Sequence, residues 1–313
     1  MGLIKKPCEI APKDTMSILI YGQPGVGKST LACSAPVPVL FDFDGGVNRI
    51  NGAHQVPTIQ VTSWTDVNEA LAEIDKEMPE CQSIIVDTCG KMLDFISAYI
   101  MEDNPKMRKA GGTLSLQGYG LRRNIFVNFI KQIAVSGRNA IFVAHEREEK
   151  RGDDTFKRPE IGGSSAGDLI KELDLVGYMS AVGKERGISY DVNEFFYAKN
   201  SCQLQPTKLP VLLDENGNTT ASNTYLTEVV EAYRYNQIQN LARTKEYAEL
   251  VAKASKAIAE AEDADDLNNV VDYLKGLTHI YDSKVKLARM VNDRAAALNL
   301  KLDKKTKLYV SKA

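Results

Sequence analysis

Gly22-Gln-Pro-Gly-Val-Gly-Lys-Ser-Thr30 is the stretch on which the reading of this 313-residue sequence turns. It fits G-x-x-x-x-G-K-[ST], follows the β-branched run Ser17-Ile-Leu-Ile-Tyr21, and opens a helix-length segment. A strand, a glycine-rich turn and a helix start in that order make a phosphate cradle, because the glycines let backbone N–H groups turn toward phosphate oxygens. The nine residues Gly22, Gln23, Pro24, Gly25, Val26, Gly27, Lys28, Ser29 and Thr30 are therefore expected to hold ATP. Lys28 should reach the β- and γ-phosphates and Ser29 should ligate Mg²⁺.

Downstream, Ser83-Ile-Ile-Val-Asp-Thr88 reads as a buried strand ending in Asp87, the natural second partner for Mg²⁺ beside Ser29. In many such ATPases a glutamate follows that aspartate and activates the attacking water; here the next residue is Thr88. An acid must then come from elsewhere, and Phe41-Asp-Phe-Asp-Gly-Gly46 offers one at the end of the next strand after the cradle. In a parallel sheet the ligand chemistry gathers at the carboxyl ends of strands. Asp44 is the candidate water-polarising carboxylate, with Asp42 nearer the strand or serving the metal. Two other readings stay open: both acids cap the turn into Gly45-Gly46, or they grip a substrate as in small-molecule kinases.

The surrounding pattern predicts an α/β fold, a mainly parallel β-sheet between helices with an α-helical C-terminal region. Strands are expected at 17–21, 37–42, 58–61, 83–87, 139–144 and 174–182, and helices at 28–34, 65–77, 90–102, 117–136 and 164–172. The fourth helix shows Leu121, Ile125, Phe129 and Ile133 every four residues, which predicts its buried stripe. A further strand is expected to end near 195–198. Beyond about 224, alanine, lysine and glutamate dominate and helical periodicity takes over. The expected division is an ATPase core over 1–222 and a helical region over 223–313 with a lysine-rich tail.

Composition narrows the function classes. Hydrophobic residues make up 43% and charged residues 26%, as in ordinary globular chains, and the net charge is −2. No global field draws the protein to polyanions, so any nucleic-acid binding must come from local clusters. No apolar run reaches the ~18 residues of a membrane span. The first ten residues lack an apolar signal core, so a cytoplasmic location is expected, the host's if a phage encodes the protein. Five scattered cysteines and three histidines indicate neither disulfides nor a zinc site.

Taken in order, these motifs resemble the RecA family core, where the acid lies at the end of the strand after the cradle helix and the second strand ends in Asp followed by Ser or Thr. Within that family the sequence is similar to phage ATPases of the Sak-type single-strand annealing group. The resemblance runs from about 17 to 203. It implies that Asp44 stands where the family's catalytic glutamate sits. His145, closing Asn139-Ala-Ile-Phe-Val-Ala-His145, stands where a polar γ-phosphate sensor sits. Ile161-Gly-Gly-Ser-Ser-Ala-Gly167 resembles the glycine pair that closes a DNA-binding loop. Lys199 resembles a lysine that reaches a neighbouring subunit's γ-phosphate. His145 read without the resemblance is a strand-end residue, and Lys199 an exposed edge-strand lysine.

Two segments are the expected DNA-facing loops. The first, about 103–116, carries Lys106, Arg108 and Lys109. The second, about 146–163, carries Arg147, Lys150, Arg151, Lys157 and Arg158, with Phe156 as a base-contacting side chain. The second also holds six acids, so a solvated loop is the bland alternative. Together these features predict a DNA-stimulated ATPase that binds single-stranded DNA for recombination or annealing. It would assemble into rings or filaments with ATP between protomers, with a nuclease or single-strand-binding protein as a candidate partner. The alternatives are a P-loop kinase of a nucleotide or small molecule, and a ring helicase or loader of the same core. A AAA+ remodeller ranks lower because Asp87 lacks a following glutamate.

Overall fold

Strands whose side chains are apolar on both faces belong in the middle of a sheet covered by helices on each side. Ser17–Gly22 (β1) and Ser83–Asp87 (β4) are buried along their whole length. The structure, a computed structural model, describes residues 3–152, 154–162 and 165–312. It divides into one compact unit over Lys13–Arg234 and a second drawn from residues before Lys13 and from Tyr235 onward.

In the first unit β1 leads through the cradle to α1 (Lys28–Ala32), β2 (Pro38–Asp42), β3 (Thr58–Gln60), α2 (Thr65–Glu77), β4, α3 (Cys89–Asp103) and α4 (Leu116–Val135). There follow β5 (Asn139–Arg151), β6 (Asp154–Pro159), α5 (Ser165–Glu172), β7 (Leu175–Val182), β8 (Glu185–Ser189), β9 (Lys199–Asn200), β10 (Thr207–Leu209) and the first residues of α6 (Tyr225–Glu260). The sheet runs β10-β8-β7-β1-β5-β4-β2-β3, with β6 on β5 and β9 on β7. From β7 to β3 the strands are parallel, and β6, β8, β9 and β10 are antiparallel. The mainly parallel sheet between helices, with a helical C-terminal region, is the predicted class.

Alternation along the strands sorts the core. Leu19, Tyr21, Phe41, Val86 and Phe142 face one way, against α2, α3 and α4. Ile18, Ile20, Leu40, Ile85 and Val143 face the other, against α1 and Leu226 and Val230 of α6. On α4 the predicted stripe is displaced: Phe126, Phe129, Ile130 and Ile133 are buried, whereas Leu121 is 42% exposed. The four-residue spacing drifts round the helix, and the i, i+3, i+4, i+7 set takes the core.

Two further expectations are corrected. The predicted loop over 146–163 is largely a β-hairpin, β5 continuing to Arg151 and pairing with β6 so that Glu148 faces Lys157. Both faces carry charge, so the period of two shows no apolar alternation by which to see it. The segment near 195–198 contributes a single bridge, Phe196 to Lys157, and not a strand. The lysine-rich tail is folded as well. In the second unit the rest of α6 packs with α7 (Ala264–Lys275), α8 (Ser283–Ala297) and the hairpin β11 (Leu300–Leu302) with β12 (Tyr309–Ser311). Asn268 pins that hairpin, its amide donating to the Tyr309 carbonyl at 3.0 Å and its oxygen accepting the Tyr309 N–H at 2.8 Å.

Phe129 meets Phe41 and Trp64 edge-on, at 6.5 and 5.5 Å between ring centres. Phe129→Ala should destabilise the first unit by about 3–5 kcal/mol, and Leu121→Ala by no more than about 0.5 kcal/mol. Urea unfolding followed by fluorescence of Trp64, the chain's one tryptophan, checks both.

Candidate nucleotide site

Register places the site. Gly22 of β1 lies opposite His145 of β5, and Asp42 of β2 lies opposite Asp87 of β4, so β1, β2 and β4 end at one edge, which β5 crosses at His145. Gly22 is required by close approach: a Cβ there would fall 2.2 Å from the Met179 carbonyl oxygen. Gly27 is required by conformation, at φ +100° as the residue that opens α1.

Lys28 is buried, and its ammonium donates to the carbonyls of Gly22 and Gln23 at 3.0 and 2.8 Å. It also lies 3.5 Å from His145 Nδ1, a contact suited to an unprotonated ring nitrogen. Burial, with the Lys28 charge adding, holds the His145 pKa below its ordinary value. Burial likewise lowers the Lys28 pKa, against the opposing pull of Asp87, Glu146 and Asp44. Asp87 is pushed up to about 6, chiefly by burial. The Ser29 hydroxyl bonded to it and the Lys28 charge work the other way, while Asp44 and Asp42 add to the rise. The Asp87–Thr88 peptide is cis, and the Thr88 hydroxyl accepts the Lys91 N–H at the start of α3.

The two acids after β2 have separate surroundings. Asp42 accepts the N–H groups of Gly46 and Val47 at 2.9 and 3.1 Å, so it caps the turn. Asp44 pairs through Oδ2 with Arg49 at 3.2 Å, while its Oδ1 is buried without a hydrogen-bond partner. Its charge bears on Lys28, Asp87 and His145. A buried acceptor left open costs free energy unless a ligand fills it. The donor set fits Mg²⁺ bound to a nucleotide: Ser29 and Asp87 would hold the ion, which takes the rest of its shell from phosphate and water.

Lys199 lies elsewhere. Its ammonium caps the C-terminal end of α5, donating to the Ile170 carbonyl at 3.3 Å and to that of Leu173. It is thus occupied by its own chain, as cations at helix C-termini commonly are. Among the predicted DNA contacts, Lys106, Arg108, Lys109, Arg147 and Lys150 are exposed. The Arg151 side chain, Asp153, and Gly163 with Ser164 of the glycine pair lie outside what is described. The base-contacting expectation for Phe156 is corrected: it is buried, with Arg158 over its ring at 5.5 Å. Lys157 is held by Glu146 and Glu148, and Arg158 by Glu149 at 2.6 Å. These pairs engage both charges inside the hairpin, while Arg147 and Lys150 are exposed on it.

Three site residues escape the sequence reading. Arg49 is five positions past Asp44, close enough to have been weighed as its partner. Arg186, at the start of β8, donates to the Val26 carbonyl at 2.9 Å, a reach across the sheet that no local pattern signals. Glu146 is clamped between the Tyr178 hydroxyl at 2.9 Å and Lys157 at 3.0 Å. Beside α1 opens a cleft of about 590 Å³ whose lining includes Thr30, Asn48, His54 and Arg186. His54 is buried there, with Nε2 unpartnered.

With the Asp87 carboxyl pushed up to about 6, a Mg²⁺ ion held by it would require the ionised form, so binding of Mg·ATP below that pH would release a proton. Mg·ATP affinity should be level above about pH 7 and fall as pH drops through about 6, by up to about tenfold per unit. Asp87→Asn should show only the nucleotide's own titration, from a weaker baseline. Titration of a fluorescent ATP analogue at fixed Mg²⁺ measures both.

Comparison with known proteins places this geometry. A family model described as an AAA domain matches residues 14–202, which carry the cradle and all four strands of the site. The chain is 31% identical over 176 residues to the SPbeta prophage-derived uncharacterized protein YorG of Bacillus subtilis (strain 168), covering 53% of this chain and 51% of YorG. It therefore spans about half the length of that curated relative. Among solved structures it resembles a chain described as an ATPase domain, with a TM-score of 0.40 and 13% identity over 67% of this chain and 86% of that one. No helix among the described residues is long and apolar enough to cross a membrane. With its phosphate-binding loop and Mg²⁺-competent acid inside the matched span, the chain belongs to the AAA domain family and carries a P-loop ATPase domain.

Proposed function

We propose that this ATPase binds single-stranded DNA in a nucleotide-dependent way and serves recombination or annealing, assembling so that ATP lies between protomers. One observation carries the reading. The strand that brings His145 to within 3.5 Å of the Lys28 ammonium runs on unbroken into the hairpin that displays Arg147 and Lys150. A change of charge at the cradle is thereby passed along one hydrogen-bonded strand to two surface cations.

In this reading Lys28 exchanges its loop carbonyls for the β- and γ-phosphates, and the cleft by Asn48 and His54 takes the nucleoside. Asp44 polarises the attacking water once Arg49 is drawn toward the terminal phosphate. Lys106, Arg108 and Lys109 supply further backbone contacts, with an affinity that depends on salt more than on sequence.

Lys28→Ala should abolish ATP binding. Asp44→Asn should keep it and lower hydrolysis by about 10²-fold or more. The double variant Arg147→Glu, Lys150→Glu should leave basal hydrolysis intact while weakening oligo-dT binding and flattening its salt slope by about 1.4. Fluorescence anisotropy with a non-hydrolysable ATP analogue, over a salt series, reads this. Equal DNA binding by that variant and the parent would sink the proposal.

A further inference from the structure

We infer that the C-terminal unit carries a docking groove for an acidic peptide segment with an apolar side chain. The groove, of about 310 Å³, lies between α7, α8 and the β11–β12 hairpin. Its floor is apolar: Leu274, Leu287 and Val291 are buried, and Leu302 is presented from the hairpin at 50% exposure. That volume suits one or two apolar side chains, at the small end of ligand pockets.

Charge selects the occupant. Lys275, Lys284 and Lys307 line the groove with His279, and among the described residues no acid lines it. Three carboxylates of these elements are already engaged. Asp303 accepts the N–H groups of Lys305 and Thr306 at 2.7 and 3.0 Å. Asp282 accepts the Tyr247 hydroxyl at 2.7 Å. Asp272 pairs with Lys275 at 2.8 Å, an exposed pair that a ligand carboxylate can replace at little cost. From residue 264 onward there are ten lysines and arginines against six aspartates, a local charge of +4 in a chain whose total is −2. A positive rim around an apolar floor is complementary to carboxylates flanking a leucine or phenylalanine. A bare phosphate backbone would use the lysines and leave the floor empty.

The probe is a fluorescein-labelled synthetic peptide, a run of aspartates ending in leucine and phenylalanine, titrated into the full chain by anisotropy. Lys284→Glu sits in the first turn of α8, where an acid favours the helix, so loss of binding there cannot be ascribed to unfolding. Lys284→Glu combined with Lys275→Glu should weaken the peptide about tenfold, and Leu302→Ser should weaken it by a similar factor with unchanged salt dependence. Replacing the peptide's apolar end by serines should abolish binding. Binding that is indifferent to Leu302→Ser, or oligo-dT competing for the same lysines while the peptide fails to bind, would overturn the proposal in favour of a nucleic-acid surface. ATP hydrolysis should be unaltered in each variant.

Discussion

The parallel ladder β1-β5-β4-β2 is the constraint on which the rest of the molecule depends. Its hydrogen bonds bring Gly22 beside His145 and Asp42 beside Asp87. A slip of one residue in any of these pairings would turn the inward side chains outward and swap the two core faces. The same slip would carry a site residue away from the common edge. Core packing and site assembly are thus one requirement, and the alternation of Leu19 and Tyr21 with Ile18 and Ile20 enforces both.

Gathering charges at that edge has a cost that the surrounding structure offsets. An ammonium and a carboxylate buried together are favourable only when their remaining hydrogen bonds are met. Lys28 meets this with loop carbonyls, Asp87 with the Ser29 hydroxyl, and Asp42 with backbone N–H groups. Of these four, Asp44 keeps an oxygen unsatisfied. The incomplete member of the set is also the one whose partner, Arg49, is mostly exposed.

The fold was legible because the decisive signals are local. The cradle, the apolar strands and the acid at the end of β4 each need only a short window, and β4 and α2 match the expected bounds. A second acid near the cradle was also legible, since a parallel topology allows few places for it. What stayed hidden depends on distance in sequence or on charge masking periodicity. Arg186 reaches Val26 across 160 positions. The hairpin 146–159 has charges on both faces, so the alternation that marks a strand is invisible to hydropathy. Lys199 belongs to the same class as Arg186: its engagement with the end of α5 in its own chain joins positions 26 and 29 residues apart, which no local pattern signals.

The unbroken course of β5 carries a mechanical consequence. Six residues separate His145 from Arg151, a lever arm of about 20 Å for an extended strand. Pivoting that arm by about 5° moves its tip by about 1.7 Å, enough to make or break a hydrogen bond. A small rotation at the cradle end of the strand would thus be enlarged at the hairpin tip without any hinge having to bend.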